Sequence, residues 1–428
     1  MSYNQPNFGR HYQPHQHDNG PPELANILQA LNGNSGNDTQ QARPDFTLPI
    51  SARLRGVPMR QPREITSFSY DEDRNLHLDD SSMSYFYLLK SDLALSSSSS
   101  SSGGIDLSDG FREFKKRDEN VDEHLDGLLL SLMDLEKKTD KKTTGDIITF
   151  RGLITKLLCL PYSRNDPFEL NATWFDGQLF IEENLNYKLA SQRRLDERGE
   201  IMTYWGYKFE SIATIPKSWK ESSRREIENR QHQVVNNYSQ YCSVVKTGLG
   251  DTRLVIGGEV DCVYDYKPSE QLNQEVTAEF FDSALDHYVE LKTNKVIQTD
   301  RDANLFEKKL LKIWAQSYLL GVPRIVIGFR TDQGFLQTLE QFETQKIPAM
   351  IKKSKYSDSR SAWDGVESLA FLAAALQWLK TSIPRNQDGV VWKIKYVKGS
   401  EFLSVSRSAD QSFLHKDFVQ WRRERNFI

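Results

Sequence analysis

The chain has 428 residues, with 55 lysines and arginines against 59 aspartates and glutamates, and its formal charge is −4. This balance excludes a strongly basic protein that coats nucleic acid, because such a protein needs a cationic surplus. Hydrophobic residues make up 38% of the chain, enough for a folded core. The three cysteines lie far apart, which predicts neither a disulfide scaffold nor a cysteine zinc site. No apolar run approaches about 18 residues, so no membrane association is expected.

The first segment of the chain, residues 1–60, is rich in Asn, Gln, Pro and His. Its few apolar residues cannot bury enough surface to offset the entropy lost on ordering, so we predict a disordered tail with solvated histidines. The apolar run at 24–31 leaves open a docking helix for a partner. Seven serines and two glycines at 96–104 are predicted to form a flexible insertion in a surface loop.

From about residue 146 the chain alternates between strand-like and helix-like patterns. Residues 147–150 are compatible with either structure. Strands are predicted at 178–181, 253–264, 286–293 and 324–330, and helices at 224–235, 304–319 and 362–380. This mixture predicts an α/β or α+β domain that follows the tail.

The predicted strand at 253–264 carries two acidic side chains. Glu259 and Asp261 alternate with Val260 and Cys262, so both carboxylates project from one face of the strand. Two neighbouring carboxylates repel each other unless a cation or a proton lies between them. An edge strand with its acidic face in water is the alternative, but the apolar flanks favour a functional site.

The next predicted strand has the same alternation. Glu290 and Lys292 share one face, and Val289 and Leu291 share the other. The Glu-x-Lys pattern alone is not specific, because it recurs three times in charged surroundings. We interpret those copies as solvated: Glu113/Lys115, Glu136/Lys138 and Glu307/Lys309.

An acidic strand followed by a Glu-x-Lys strand is typical of metal-dependent phosphodiester hydrolysis. Carboxylates suit Mg²⁺ or Mn²⁺, and two such ions can contact both the entering and the leaving oxygen. Glu210 could supply a further metal ligand, and Arg151 could bind a phosphate rather than form a surface ion pair. Gln316 is either a core amide or a contact to the phosphate. A DNA-processing enzyme of the PD-(D/E)xK type would use the same chemistry.

Together these motifs resemble the DXO decapping-nuclease family, and most closely its fungal nuclear branch. The matching segments are DIITFRG at 146–152, GYKFE at 206–210, GEVDC at 258–262, ELK at 290–292, WAQSYLLGVPRIVIGFR at 314–330 and the opening EITSFSYDEDRNLHLDD at 64–80. The resemblance implies one catalytic domain over residues 61–428. Its fold would consist of two mixed, twisted β-sheets flanked by helices.

The resemblance also implies an activity on RNA 5′ ends in the nucleus. The enzyme would release pyrophosphate from 5′-triphosphate RNA and remove incomplete guanosine caps and nucleotide caps such as NAD. It would also bind and stimulate a nuclear 5′–3′ exoribonuclease. Two alternatives stay open: a non-catalytic partner that stabilises that exoribonuclease, and a decapping enzyme with its own 5′–3′ exoribonuclease activity.

Finally, the resemblance implies a role for each residue of the motifs, around what would be two divalent ions. Catalysis would depend on Glu259, Asp261, Glu290 and Lys292. The metal ligands would be Glu210, Asp261, Glu290 and the backbone carbonyl of Leu291, with Glu259 where metal and substrate meet. The substrate would contact Phe150, Arg151, Gly152, Cys242, Glu259, Lys292 and Gln316.

Overall fold

The computed structural model describes residues 45–88, 104–192, 194–267, 283–356, 362–385 and 387–425. The apolar run at 24–31, the rest of the tail before residue 45 and the serines at 96–102 lie outside the described residues. Among the described helices, none combines the length and the apolar character that a membrane span requires.

The described strands form two mixed sheets. In chain order the strands are β1 (Phe46–Pro49), β2 (Met59–Tyr70), β3 (Leu76–His77), β4 (Tyr85–Phe86), β5 (Ile105–Asp106), β6 (Ile147–Phe150), β7 (Phe168–Phe175), β8 (Gln178–Glu183), β9 (Thr214–Ile215), β10 (Gln240–Leu249), β11 (Thr252–Glu259), β12 (Cys262–Val263), β13 (Tyr288–Lys295), β14 (Arg324–Arg330), β15 (Phe335–Glu343), β16 (Val391–Tyr396) and β17 (Phe402–Arg407). The first sheet has the order β1-β17-β16-β7-β8-β6-β11-β10-β2-β3, and the second has the order β5-β15-β14-β13-β12-β4-β9. Strand β6 is parallel to both β8 and β11, and β13 is parallel to β14.

Helices flank both sheets. They are α1 (Asp126–Thr139), α2 (Arg151–Cys159), α3 (Leu185–Ser191), α4 (Glu197–Ala213), α5 (Arg224–Asn229), α6 (Asp300–Leu320), α7 (Ile347–Lys353), α8 (Gly365–Ser382) and α9 (Lys416–Arg425). The predicted fold class, a mixed α/β domain with two sheets, is therefore confirmed.

Each sheet has its own apolar cluster beneath a helix. Leu128 and Leu132 of α1 are buried in one cluster with Val244 and Val255 of the first sheet. The second cluster joins residues of α4, including Phe209, to buried residues of β13 and β14. Burial of such side chains contributes roughly 1.5–3 kcal/mol each. The packing holds α4 against β13, the strand that carries the Glu-x-Lys motif.

The folded region begins earlier than predicted. Strand β1 lies within residues 1–60 and pairs with β17 in the antiparallel sense. Leu48 of β1 is fully buried. The predicted boundary at residue 60 is therefore too late. The short segment after Asp45 forms a strand by pairing with β17, which lies more than 300 positions further along the chain, so its own sequence does not reveal it.

The predicted strand at 253–264 is divided in two, and the single-strand prediction is wrong. Strand β11 belongs to the first sheet and ends at Glu259, whereas β12 belongs to the second sheet. The Val260 N–H still donates to the Tyr241 carbonyl of the first sheet at 3.1 Å, and the Val263 N–H donates to Ser84 at 2.8 Å. The chain therefore changes sheets between these residues.

Other elements differ mainly in extent. Residues 147–150 form a strand, and the helix predicted at 224–235 is confined to α5 and a short 3₁₀ turn. Two Glu-x-Lys copies that we interpreted as solvated are not: Glu136 is fully buried and Glu307 is almost so, whereas Glu113 is exposed. Their partners come from distant parts of the chain.

Candidate active site

Four acidic residues from three separate segments of the chain converge where the two sheets meet. Glu259 ends β11, Asp261 precedes β12, Glu290 lies on β13, and Glu210 lies in the last turn of α4. The side chains of β13 alternate as predicted, because Val289 and Leu291 are buried in the cluster beneath α4. Glu290 and Lys292 therefore project from the other face.

Lys292 contacts two of the four carboxylates. Its Nζ is 2.6 Å from Glu290 Oε1 and 3.5 Å from Asp261 Oδ2, and it donates to the Leu291 carbonyl at 2.9 Å. Asp261 Oδ2 also accepts the Leu291 N–H at 2.6 Å. The ammonium thus contacts two carboxylates and the carbonyl that the resemblance assigns to a metal ion.

Arg151 forms a buried ion pair rather than a surface one. Strand β6 ends directly before it, and its Nη1 donates to Glu290 Oε2 at 3.1 Å. The exposed fraction of its side chain is 10%, and that of Glu290 is 1%. Glu290 is therefore held from two sides, by Arg151 and by Lys292.

The pKa values of the carboxyl groups are shifted by burial and by the neighbouring charges. Burial raises the pKa of Glu210 well above its usual range, and the charge of Asp261 raises it further. Burial also raises the pKa of Asp261 to about 7, although Lys292 opposes this shift. Burial alone would raise the pKa of Glu290, but Lys292 and Arg151 lower it below the usual value. Such opposed shifts are common at functional sites.

These residues fit a divalent metal ion. Four carboxylates and one carbonyl supply only oxygen ligands, which are the ligands that Mg²⁺ and Mn²⁺ prefer. Four negative charges against the two positive charges of Arg151 and Lys292 leave a formal charge of −2. Burial is the main cause of the raised pKa values of Glu210 and Asp261, and the neighbouring carboxylates raise these pKa values further. A divalent ion would neutralise this excess of negative charge.

The acidic group opens into a polar cleft. Its lining includes Tyr207, Glu210, Tyr241, Glu259 and Asp261. Glu259 is exposed, in contrast to the buried Glu290. Glu259 is therefore the most accessible of the four carboxylates.

The predicted substrate residues are distributed around this group. Phe150 and Gly152 line a second groove, and a Cβ on Gly152 would meet open space. Cys242 lies directly opposite Glu259 in the pairing of β10 with β11, and burial raises the pKa of its thiol to about 12. Gln316 is half-buried on α6, and within the described residues no hydrogen bond joins it to the four carboxylates. Its predicted role stays a prediction.

The second groove contains a separate acidic group that our sequence analysis missed. The potential ligand atoms of Asp122, His124 and Glu182 lie within 4.8 Å of one another. His124 Nδ1 and Glu182 Oε2 are 2.8 Å apart, so the group forms hydrogen bonds within itself. No local motif marks it, because two helices and two strands separate Glu182, on β8, from the other two residues.

Comparison with known proteins identifies the family. The sequence model of the RAI1-like PD-(D/E)XK nucleases matches residues 60–419. This chain belongs to that family. It is therefore a metal-dependent hydrolase of the nuclease class, and the predicted dependence on divalent ions is confirmed.

Individual RAI1 proteins are similar over nearly the whole chain. The decapping nuclease RAI1 of Neurospora crassa is 43% identical over 389 residues, which cover 88% of this chain and 87% of that protein. The structure of Candida albicans Rai1 in complex with pU5-Mn²⁺ has a TM-score of 0.80 at 35% identity, covering 89% of this chain and 99% of that one. Scheffersomyces stipitis Rai1 in complex with (3′-NADP)⁺ and calcium has a TM-score of 0.78 at 34% identity, covering 88% and 99%.

Proposed function

We propose that this protein hydrolyses RNA 5′ ends with the help of divalent ions. It releases pyrophosphate from 5′-triphosphate RNA and removes incomplete guanosine caps and nucleotide caps such as NAD. The observation that carries this proposal is the convergence of four carboxylates, three of which act on Lys292 while Glu259 lies beside them: Glu210, Asp261, Glu290 and Glu259. The complex of the Candida albicans relative with pU5-Mn²⁺ supports RNA as the substrate.

Each residue of the site has a distinct part in this chemistry. Divalent ions polarise the phosphate and lower the pKa of the attacking water. Glu210, Asp261, Glu290 and the Leu291 carbonyl hold those ions, and the exposed Glu259 reaches the substrate. Lys292 stabilises the charge that develops on the phosphate oxygens. We assign Arg151 to holding Glu290 in place, because its guanidinium is enclosed and already paired.

The test is a panel of substrates incubated with the purified protein. We expect product from 5′-triphosphate RNA, from RNA with an unmethylated cap and from NAD-capped RNA in Mn²⁺, and none when EDTA replaces the metal. Duplex DNA with the same sequence should stay intact. Released pyrophosphate, cap dinucleotides and shortened RNA are separated by chromatography, which distinguishes end hydrolysis from exonuclease activity.

The alternatives predict different results in the same panel. Hydrolysis of duplex DNA at a similar rate would favour a DNA-processing enzyme. Progressive shortening of 5′-monophosphate RNA would add exoribonuclease activity. No product from any RNA in Mn²⁺ would favour a non-catalytic partner and would contradict the proposal.

We propose further that the protein binds a nuclear 5′–3′ exoribonuclease through an exposed aromatic surface at Trp219. The exposed fraction of Trp219 is 60%, and its ring stacks on Tyr87 with centroids 5.1 Å apart. The guanidinium of Arg230 lies over the ring of Tyr87, 5.1 Å from its centroid. Tryptophan on a fixed support is typical of residues that contribute most of the binding energy at protein interfaces.

Replacement of Trp219 by alanine tests this surface. Loss of an interface anchor costs about 2 kcal/mol or more, so we expect at least a roughly 30-fold weaker affinity for the purified exoribonuclease. Calorimetry measures the affinity, and hydrolysis of triphosphate RNA should be unchanged. Met202→Ala, which truncates another exposed apolar side chain, is the matched control. Equal weakening by both variants, or by neither, would contradict the assignment.

A further inference from the structure

The candidate metal site is built from both sheets, so its geometry depends on how the sheets are held together. Glu259 belongs to the first sheet, and Glu290 and Lys292 belong to the second. Only the residues between β11 and β12 connect the two sheets within this motif. A shift of one sheet by a fraction of an ångström would change the spacing of the carboxylates.

A polar cluster joins the two sheets next to this site. Glu64 of β2 accepts hydrogen bonds through Oε2 from Ser243 Oγ at 2.5 Å and from the Tyr288 hydroxyl at 2.7 Å. The Tyr241 hydroxyl is 2.8 Å from that of Tyr288 and 3.5 Å from the same carboxylate oxygen. Tyr288 begins β13 of the second sheet, whereas the other three residues lie in the first sheet. Oε2 of Glu64 therefore accepts hydrogen bonds from residues of both sheets.

The cluster is connected to both catalytic segments. Tyr288 lies two residues before Glu290, so the two side chains share one face of β13. The carbonyl of Tyr241 accepts the N–H of Val260 at 3.1 Å, and Val260 separates Glu259 from Asp261. Both tyrosines are almost fully buried. A displacement of Glu64 would therefore be transmitted to both sides of the metal site.

Stability alone does not explain this arrangement. A carboxylate in such a part-buried place loses part of its hydration, and apolar residues of similar volume often serve stability as well or better. Unlike an apolar side chain, the carboxylate forms directional hydrogen bonds, and these fix the positions of hydroxyl groups on two sheets. The same hydroxyls are attached to the residues that flank the acidic group.

We propose that Glu64 is a positioning residue for the metal site. Through Tyr288 and Tyr241 it sets the spacing between the Glu259–Asp261 segment and Glu290. The inference rests on the metal site of the proposed function, but not on the identity of the RNA substrate. Residues that orient metal ligands typically change metal affinity by about 10- to 100-fold when they are replaced.

The experiment measures binding of Mn²⁺ to the intact protein without RNA, by electron paramagnetic resonance and by calorimetry. We expect Glu64→Leu to bind Mn²⁺ about 10- to 100-fold more weakly than the wild type. Glu64→Gln keeps an oxygen that accepts the hydroxyl groups, so it should restore most of the affinity. Because no RNA is present, failure of the wild type to hydrolyse RNA would not affect this result.

Two further variants separate positioning from folding. Glu136→Gln also alters a buried carboxylate, but one whose described hydrogen-bond partners are Thr143, Trp421 and Arg422 and not residues of the metal site. It should therefore lower stability without changing Mn²⁺ affinity. Tyr288→Phe removes only the hydroxyl that links the sheets, and it is decisive if Glu64→Leu does not fold. A folded Glu64→Leu or Tyr288→Phe protein with the Mn²⁺ affinity of the wild type would overturn the proposal.

Discussion

The double variant Glu259→Ala/Asp261→Ala is expected to lower the rate of RNA 5′-end hydrolysis by at least about 10³-fold. Metal ions contribute several kcal/mol to such transition states, and each 1.4 kcal/mol corresponds to about tenfold in rate. Without these two carboxylates, Glu210 and Glu290 face the two cations Arg151 and Lys292 and the formal charge becomes zero. The site then has no excess negative charge with which to bind a divalent ion.

Metal binding and rate together test this explanation. Mn²⁺ affinity should fall with activity, and raising the Mn²⁺ concentration should not restore the rate. Glu340→Ala/Glu343→Ala removes two exposed carboxylates from β15 of the second sheet and serves as the control. It should leave both the rate and the Mn²⁺ affinity unchanged. A double variant at 259 and 261 that keeps near-normal activity would refute the four-carboxylate site.

The Glu-x-Lys strand could be predicted because its signal is local. The alternation of Val289, Glu290, Leu291 and Lys292 in an apolar setting fixes which side chains share a face, whatever the strand packs against. Strand β14 was predicted with its actual bounds for a similar reason, since a short apolar run is bounded by a proline and a polar turn. The local pattern was therefore sufficient to place Glu290 and Lys292 on one face of a strand.

The remainder depends on contacts between distant parts of the chain. Arg151 and Glu290 are 139 positions apart, and no property of either neighbourhood predicts that they meet. The division of the 253–264 segment into β11 and β12 reflects the junction of two sheets, which periodicity cannot reveal. Glu136 was predicted to be solvated because its neighbours are charged. Its burial follows from a partner 286 positions away.

Loss of Arg422, the partner of Glu136, is expected to lower the stability of the fold strongly. The side chains of Arg422 and Glu136 are both fully buried, and Arg422 Nε donates to Glu136 Oε2 at 2.7 Å. Arg422 also donates to Asp176 at 2.8 Å. Arg422→Ala would leave Glu136 buried without its cation, so we expect the free energy of unfolding to fall by about 3–5 kcal/mol. Urea denaturation measures this change.

Two other variants distinguish burial from charge as the cause. Arg425, on the same helix α9, pairs with Asp140 at the surface, and its side chain is 45% exposed. Arg425→Ala should cost at most about 1 kcal/mol, because exposed ion pairs contribute little. Arg422→Met/Glu136→Leu removes both buried charges and should be more stable than Arg422→Ala. If Arg422→Ala and Arg425→Ala were equally mild, the uncompensated charge would not be the source of the loss, and α9 would contribute to stability chiefly through its apolar contacts.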